Sequence, residues 1–520
     1  MPLRIRFIEP SPPGPNVFDQ ILLPRLGTPL MAAVLTAAGH DVRCYCETIA
    51  PVDIPDCLSA DLVGISSITS TQPAAYQLAG ELESCGVPVV LGGPHVTFLP
   101  DEGLAHARYV VRGEGQATIV ELAEAIEASR PLAGIAGLSW RGASGQCHHN
   151  PDRARCSQRD FENLPAPALS LLAGHERMPI MPVMTQWGCP FDCDFCAVTA
   201  MFSRRVRYRR NADVLAELTA LDARSVFFHD DNFVVSKART GALLRSMAAE
   251  GVTPAWFAQV RAETVYKPGK DREPDHEFLK LMKAAGCQMI MAGFESTSDE
   301  SLRQMNKKLV VRDIVNSVRL FHDHDMLVHG MFVAGTDTDP ATQAGDITDF
   351  ARRHGIDTIQ IMMETPLPGT RLYDRARHAD RILTADWSLF DGHHAVMRPA
   401  LTDAYQLQTS VLAAMARFYS RRGIALPGLT AALRSAPSLA RLATRGQLVS
   451  RFPALARLAL QHRWQEARQI LQAALPSAEW ARLQHEFAVP ALRTYGRRQL
   501  ARWHDQPRSQ RYLAFLAELT

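Results

Sequence analysis

The stretch Trp187-Gly-Cys-Pro-Phe-Asp-Cys-Asp-Phe-Cys196 sets three cysteines, Cys189, Cys193 and Cys196, four and three residues apart. Thiols so crowded are metal ligands: thiolates bind iron–sulfur clusters and zinc, and a purely structural site takes four of them. No fourth cysteine is close, since Cys156 stands 33 residues before Cys189 and Cys287 stands 91 after Cys196. A cubane cluster on three thiolates leaves one iron open, the arrangement of a cofactor that acts on a small molecule. The plainer alternatives are a zinc knuckle, an electron-carrying ferredoxin site or a disulfide pair. Zinc sites of this kind use paired Cys-x2-Cys or Cys/His arms, and a reducing cytosol disfavours disulfides.

Around this loop lies a chain of 520 residues, 47% hydrophobic, long enough for two to four domains with well-formed cores. The start, Met1-Pro-Leu-Arg-Ile-Arg-Phe-Ile, reads as a strand and not as a secretory leader, and no run of 18 apolar residues occurs. A cytoplasmic protein is expected. The other seven cysteines show no dependable ligand spacing and read as small buried hydrophobes. The net charge of +2 is uneven: residues 401–520 hold 17 arginines, no lysine and six acidic residues, so this tail carries +11.

Before the cysteines, apolar runs alternate with helical periodicity. Strands are expected at 3–10, 41–46, 61–68, 87–91 and 108–111, and helices at 28–38, 73–85, 100–106 and 117–128. Such alternation predicts an α/β, doubly wound parallel sheet whose ligand sits beyond the carboxyl ends of the strands. Those ends carry Ser66-Ser67-Ile-Thr69, Gly92-Gly93-Pro94-His95 and Gly113-Glu114-Gly115. The loop after the first strand lacks Gly-x-Gly-x-x-Gly, which argues against a dinucleotide site. Residues 131–180 read as a hairpin followed by an irregular linker.

From Met181 six further strands are expected, at 181–186, 225–229, 256–260, 287–293, 327–334 and 357–363, separated by helices. Six parallel βα units make a partial TIM-type barrel with its chemistry at the C-terminal strand ends. Those ends are polar: His229-Asp230-Asp231 after the second strand, Gln259 and Arg261 on the third, and Gly293-Phe-Glu295-Ser296 on the fourth. Each acidic residue taken singly reads as a helix cap; together they read as a site. Beyond the sixth strand, His393 and His394 are candidates for proton transfer, with loop histidines as the plainer reading.

The C-x3-C-x2-C spacing with Phe195 before the last cysteine, followed by this barrel, resembles the radical S-adenosylmethionine (SAM) enzymes. The resemblance implies a [4Fe-4S] cluster on Cys189, Cys193 and Cys196, with SAM chelated at the open iron and split to a 5′-deoxyadenosyl radical. By the same resemblance Gly293, Glu295 and Ser296 contact SAM, as do Gln259 and Arg261, while His229, Asp230 and Asp231 face SAM or substrate. The Ser-x-x-Thr, Gly-Gly-x-His and Arg-Gly-Glu-Gly stretches ahead of the barrel resemble the cobalamin-dependent branch, which includes hopanoid methylases and the anaerobic magnesium-protoporphyrin monomethyl ester cyclase. That likeness, which runs to about residue 398, implies that Ser66, Ser67, Thr69, Gly92, Gly93 and His95 line the cobalamin. Asp-x-His-x-x-Gly is absent and no histidine precedes His40, so the first loop offers cobalt none.

Three domains are thus expected: a Rossmann-like cobalamin-binding domain at 1–130, a radical SAM barrel at 181–398 after the linker 131–180, and an all-helical, Arg-rich domain at 399–520. The tail helices are expected at 404–422, 427–444, 452–460, 463–474, 477–487, 490–504 and 508–518. Sparse aromatics there argue against nucleic acid, leaving a solvated face or a peripheral membrane contact. The resemblance implies a C-methyltransferase acting on an unactivated carbon of a small or lipid-like molecule, served by a reductant such as flavodoxin or ferredoxin. The alternatives are an oxidative cyclase or coupling enzyme with the same cofactors, and a non-catalytic cobalamin or iron–sulfur sensor.

Overall fold

The computed structural model describes residues 2–12, 22–269, 271–420, 500–501 and 506–519. Five strands, β1 Arg4–Glu9, β2 Asp41–Cys46, β3 Leu62–Ser66, β4 Val89–Gly92 and β5 Tyr109–Val111, run parallel in the order β2-β1-β3-β4-β5. β1 buries five of its six residues, as a central strand covered on both faces does. The helices Gly27–Ala37 and Gln116–Glu127 bury Leu35, Ile119 and Leu122 with Ile5 and Phe7 on one face. Gln72–Ser84 packs Ala75, Ala79 and Leu82 with Ile8, Val63 and Val89 on the other.

The stretch expected as hairpin and linker is more closely tied to this sheet than its composition suggests. β6 Leu138–Arg141 pairs antiparallel with β5, and β7 Cys147–His149 pairs with β6, so the hairpin extends and covers the sheet edge. Phe161, Leu169, Leu172 and Met178 then bury themselves in the core that holds Ile5 and Phe7.

Six parallel strands form the second sheet in chain order: β8 Met181–Val183, then β11 Ser225–Phe228, β12 Ala255–Val260, β13 Cys287–Glu295, β14 Leu327–Ala334 and β15 Thr358–Met363. Between the first two of these, β9 Gln186–Trp187 and β10 Arg207–Tyr208 form a short antiparallel pair at the root of the cysteine loop. Along β12 buried residues alternate with half-buried ones. Trp256, Ala258 and Val260 meet the helix layer, while Phe257 and Gln259 stand on the opposite face of the strand.

The helix Ala404–Phe418 packs on Gln343–Arg353, with the Tyr419 hydroxyl donating to the Ile359 carbonyl and accepting from its amide. The helix Pro507–Glu518 packs on Ala404–Phe418 and buries Tyr512 and Leu516. The tail helices expected at 427–444, 452–460, 463–474 and 477–487, and most of that at 490–504, lie outside the described residues. Among those described, no helix is long and apolar enough to cross a membrane.

Candidate active site

The cysteine loop leaves β9 at Gly188, whose φ of +84° only glycine adopts freely. Its amide donates to Asp231 Oδ2 at 3.1 Å. The far side of the loop is clamped by the helix Arg371–His378, which follows the sixth barrel strand. Arg371 reaches Asp192 at 2.9 Å and Asp194 at 2.6 Å, and Arg375 reaches Asp194 at 2.7 Å. Asn306 Nδ2 donates to the Asp192 carbonyl at 2.7 Å. Burial raises all three thiols, Cys196 to about 11, while Lys307 and Arg261 oppose that rise at Cys193. Cys193 also lies near enough to Cys189 and Cys196 to act on both electrostatically. Three soft donors on one loop, beside two cations that favour thiolate, suit an iron–sulfur cluster with one open position. Among the described residues no three side chains already stand at metal-ligating separations.

At the fourth strand end, Glu295 takes a φ of +61° where the β13–β14 register shifts, and it pairs with the buried Lys307. A β-carbon on Gly293 would stand 2.6 Å from Glu295 Oε1 and 3.0 Å from Lys307 Nζ, so glycine keeps that space for the pair. Ser296 is buried and accepts from Gln343 Nε2 at 3.1 Å. Arg261 lies 3.7 Å over the Phe191 ring and donates to the Lys307 carbonyl at 2.6 Å, which holds it against the cysteine loop. Gln259 is in register with Met291, and Met291 with His329, on the half-buried strand face.

Two of the candidate site residues, Asp230 and His394, are tied into the surrounding scaffold. Asp230, grouped from the sequence with His229 and Asp231, accepts from Thr185 N at 2.7 Å, Thr185 Oγ1 at 2.6 Å and Gln186 N at 3.1 Å. Both its oxygens are occupied in anchoring β8 to β9, and burial pushes it up to about 7. His394 binds Asp391 through Nδ1 at 3.0 Å and meets the Tyr512 ring edge-on at 5.3 Å, so it is packed beneath the helix Pro507–Glu518. His393 is half-buried, and burial lowers its pKa. Asp231 is exposed and holds the loop by accepting from the Gly188 amide. His229 stays half-buried at the strand end, kept neutral by burial and by the nearby Arg25.

The residue pattern did not single out Lys307 or Glu364. Lys307 follows a short helix with no motif about it. Glu364 stands next to β15 and is nine-tenths buried. Burial first, then Asp337 and Asp339, raise it to about 8. Its one signal was a carboxylate immediately before Thr365-Pro366.

Arg25 belongs to the first domain, where its Nη2 donates to the Ser66 carbonyl at 2.8 Å and its guanidinium pairs with Glu9 at 3.3 Å. A β-carbon on Gly369, just after β15, would stand 2.5 Å from the ring of Phe98, just after β4, and the turn Trp387–Leu389 lies against the turn Thr69–Thr71, so the carboxyl ends of the two parallel sheets face each other. Gly93 has φ +109°, and a β-carbon there would strike the Ser67 carbonyl at 2.1 Å. Gly92 and Gly113 instead have open space, with nothing within 4 Å of an added β-carbon. Ser67 is buried against Gln72, and Thr69 is buried in the turn Thr69–Thr71. Among the described residues Gln72 Nε2 and Thr28 Oγ1 are buried without a hydrogen-bond partner. Open glycine backbone beside the orphaned Gln72 amide, which Ser67 ties to Gly92, fits a broad ligand rimmed by amides, such as a corrinoid. His95 is enclosed between Tyr76, Glu102 and Trp387, and His40 accepts from Leu3 N at the opposite sheet edge.

A family model of the B12 binding domain matches residues 22–123, and one of the radical SAM superfamily matches residues 183–343. An uncharacterized methyltransferase of Pyrococcus horikoshii is 30% identical over 417 residues, covering 76% of this chain and 88% of its own length. The chain belongs to the B12-binding radical SAM family. Within that family, bacteriochlorophyllide d C-12(1)-methyltransferase of Chlorobaculum tepidum is 27% identical over 380 residues, 71% of this chain and 77% of that one. The structure of the cobalamin-dependent SAM radical enzyme OxsB superposes with a TM-score of 0.65 at 14% identity, over 99% of this chain and 84% of that one. At that identity the likeness is one of fold. The cofactors of this radical SAM enzyme are a [4Fe-4S] cluster, SAM and cobalamin.

Proposed function

We propose that the protein is a C-methyltransferase acting on an unactivated carbon of a neutral, largely apolar small molecule. The observation that carries this reading is the opposition of the two sheets' carboxyl ends, with Phe98 of the first packed against Gly369 of the second. When bound, the cluster supplies the electron that cleaves SAM, and the corrinoid carries the methyl group. Cys189, Cys193 and Cys196 hold the first; Gly92, Gly113 and the Gln72 amide receive the second. Gly293, Glu295 and Lys307 line the SAM position beside the cysteine loop.

The substrate class is supported by the barrel strands' inner face. Phe257, Met289, Met291, Met331 and Met362 are half-buried there, with Phe257 in register with Met289, and Met291 with Gln259 and His329. Burial pushes His329 down to about 4, and His229 is also lowered, so both are uncharged at neutral pH. Such a face receives an apolar body and not an ion. The reading includes a single-electron donor of the flavodoxin or ferredoxin class and a cytoplasmic setting, supported by ten free thiols. It also includes a peripheral membrane contact, supported by the +11 tail. The divisions at 1–130, 181–398 and 399–520 are part of the same proposal.

The test is anaerobic reconstitution with methyl-labelled SAM, cobalamin and a low-potential reductant. Wild type should release 5′-deoxyadenosine and transfer label to the bound corrinoid. Alanine at Cys189, Cys193 or Cys196 should abolish deoxyadenosine and the brown cluster absorbance. Full cleavage activity in any one of these variants refutes the cluster assignment. A product with unchanged carbon count and fewer hydrogens assigns a cyclase in place of a methylase.

A further inference from the structure

The first sheet and the short β9–β10 pair that roots the cysteine loop are joined by a buried ion pair that the chemistry above does not use. Glu114, in Arg112-Gly-Glu-Gly115 just after β5, pairs with Arg207 of β10, their side chains 6% and 4% exposed. The backbone of Cys156 closes the arrangement: its amide donates to Glu114 Oε2 at 2.7 Å, and its carbonyl accepts from Arg207 Nη1 at 3.2 Å. The remaining faces of the guanidinium meet aromatic rings. Its carbon lies 5.6 Å from the Phe202 ring centre, 5.9 Å from Trp187 and 6.0 Å from Phe161. Among the described residues neither Nε nor Nη2 of Arg207 has a hydrogen-bond partner. Glu114 is therefore the carboxylate that fixes this cation.

We propose that the Glu114–Arg207 pair is a positioning link that sets the cysteine loop at a defined separation from the corrinoid face of the first sheet. Arg207 is in register with Trp187, one residue before Gly188 and two before Cys189. A displacement of Glu114 passes through Arg207 and Trp187 to the first cluster ligand. Asp231 holds the next amide from the barrel side, so the root of the loop is fixed by carboxylates from both sheets. A buried ion pair loses in desolvation much of what it gains in attraction, so what this one secures is geometry more than stability. Separation matters here because a methyl group carried on one cofactor must meet a carbon activated beside the other. A misplacement of about 1 Å can cost about 100-fold in rate.

The proposal rests on the two-cofactor reading, and its test separates the two. The reduced cluster and cob(II)alamin are both paramagnetic, so pulsed dipolar electron spin resonance on the loaded full chain reads their separation without a substrate. The variants are E114Q alone and the double variant E114Q/R207M, which removes both charges and leaves a flexible thioether among the three rings. Both should bind the two cofactors, yet their distance distribution should shift or broaden by about 1 Å or more. Hydrogen exchange across residues 185–210 of the cofactor-free chain should rise in both. If the double variant keeps the wild-type distribution and exchange, the positioning role is overturned. It is equally overturned if the double variant unfolds, since the pair would then serve stability. If wild type itself binds no corrinoid, the two-cofactor reading fails, and the proposal with it.

Discussion

Gly188 is the residue on which the cysteine loop turns. A β-carbon there would stand 2.1 Å from the Arg205 carbonyl oxygen, a backbone atom that cannot rotate aside. Gly188→Ala should destabilise the protein by about 2 kcal/mol or more and lower the iron bound per chain, measured by thermal unfolding and iron assay. Unchanged melting and iron content would show that the loop relaxes freely. Glu364 gives a pH-dependent counterpart. Its folded pKa of about 8 lies above the ordinary 4.5, so between those values the folded state keeps a proton that the unfolded chain releases. Stability attributable to Glu364 is therefore lost as pH rises through that window, by about 1.4 kcal/mol per unit at the steepest. Glu364→Gln should melt increasingly above wild type between about pH 5 and about pH 8. Parallel curves would place the carboxyl in ordinary solvent.

At the scale of elements, the βα units were legible because each strand is a short apolar run bounded by glycine or a polar cap, and each helix has a 3.6-residue stripe. The β9–β10 pair was not legible, since two residues per strand carry no periodicity. Its partner Arg207 reads in sequence as one more surface arginine. The cysteine spacing brought the candidate cluster ligands into view, whereas sequence does not show that both oxygens of Asp230 accept from Thr185 and Gln186, or that His394 Nδ1 faces Asp391. Nor does sequence show the clamp on the loop by the helix Arg371–His378. Arg371 is half-exposed but makes charge-assisted bonds to two aspartates and to the Asp192 carbonyl. Exposed pairs contribute about 0.2–1 kcal/mol each. Arg371→Ala should accordingly leave the melting temperature nearly unchanged while hastening cluster loss to an iron chelator several-fold. Wild-type loss kinetics would mean that Asn306 and the backbone hold the loop unaided.

Over the whole molecule the cleft read as the corrinoid site depends on two bodies staying closed, and Trp387 is among the side chains that bridge them. Trp387, beyond the sixth barrel strand, meets the His95 ring edge-on at 4.8 Å and Phe390 at 4.7 Å. The turn Trp387–Leu389 lies against the turn Thr69–Thr71, which leads from β3 into the next helix, so the bridge sits directly beside the loop read as lining the cofactor. A ligand that binds only the closed arrangement stabilises it by mass action, by about 2.7 kcal/mol at 100 times its dissociation constant. Corrinoid should thus raise the wild-type melting temperature. In Trp387→Ala the closed arrangement must be re-formed at the expense of binding, and a tenfold weaker affinity removes about 1.4 kcal/mol of that stabilisation. The corrinoid-induced shift at one fixed concentration should therefore shrink in Trp387→Ala and be retained in Trp387→Phe, which preserves the ring contact with His95. A full shift in the alanine variant would mean that the cleft is held from the Glu114–Arg207 side alone.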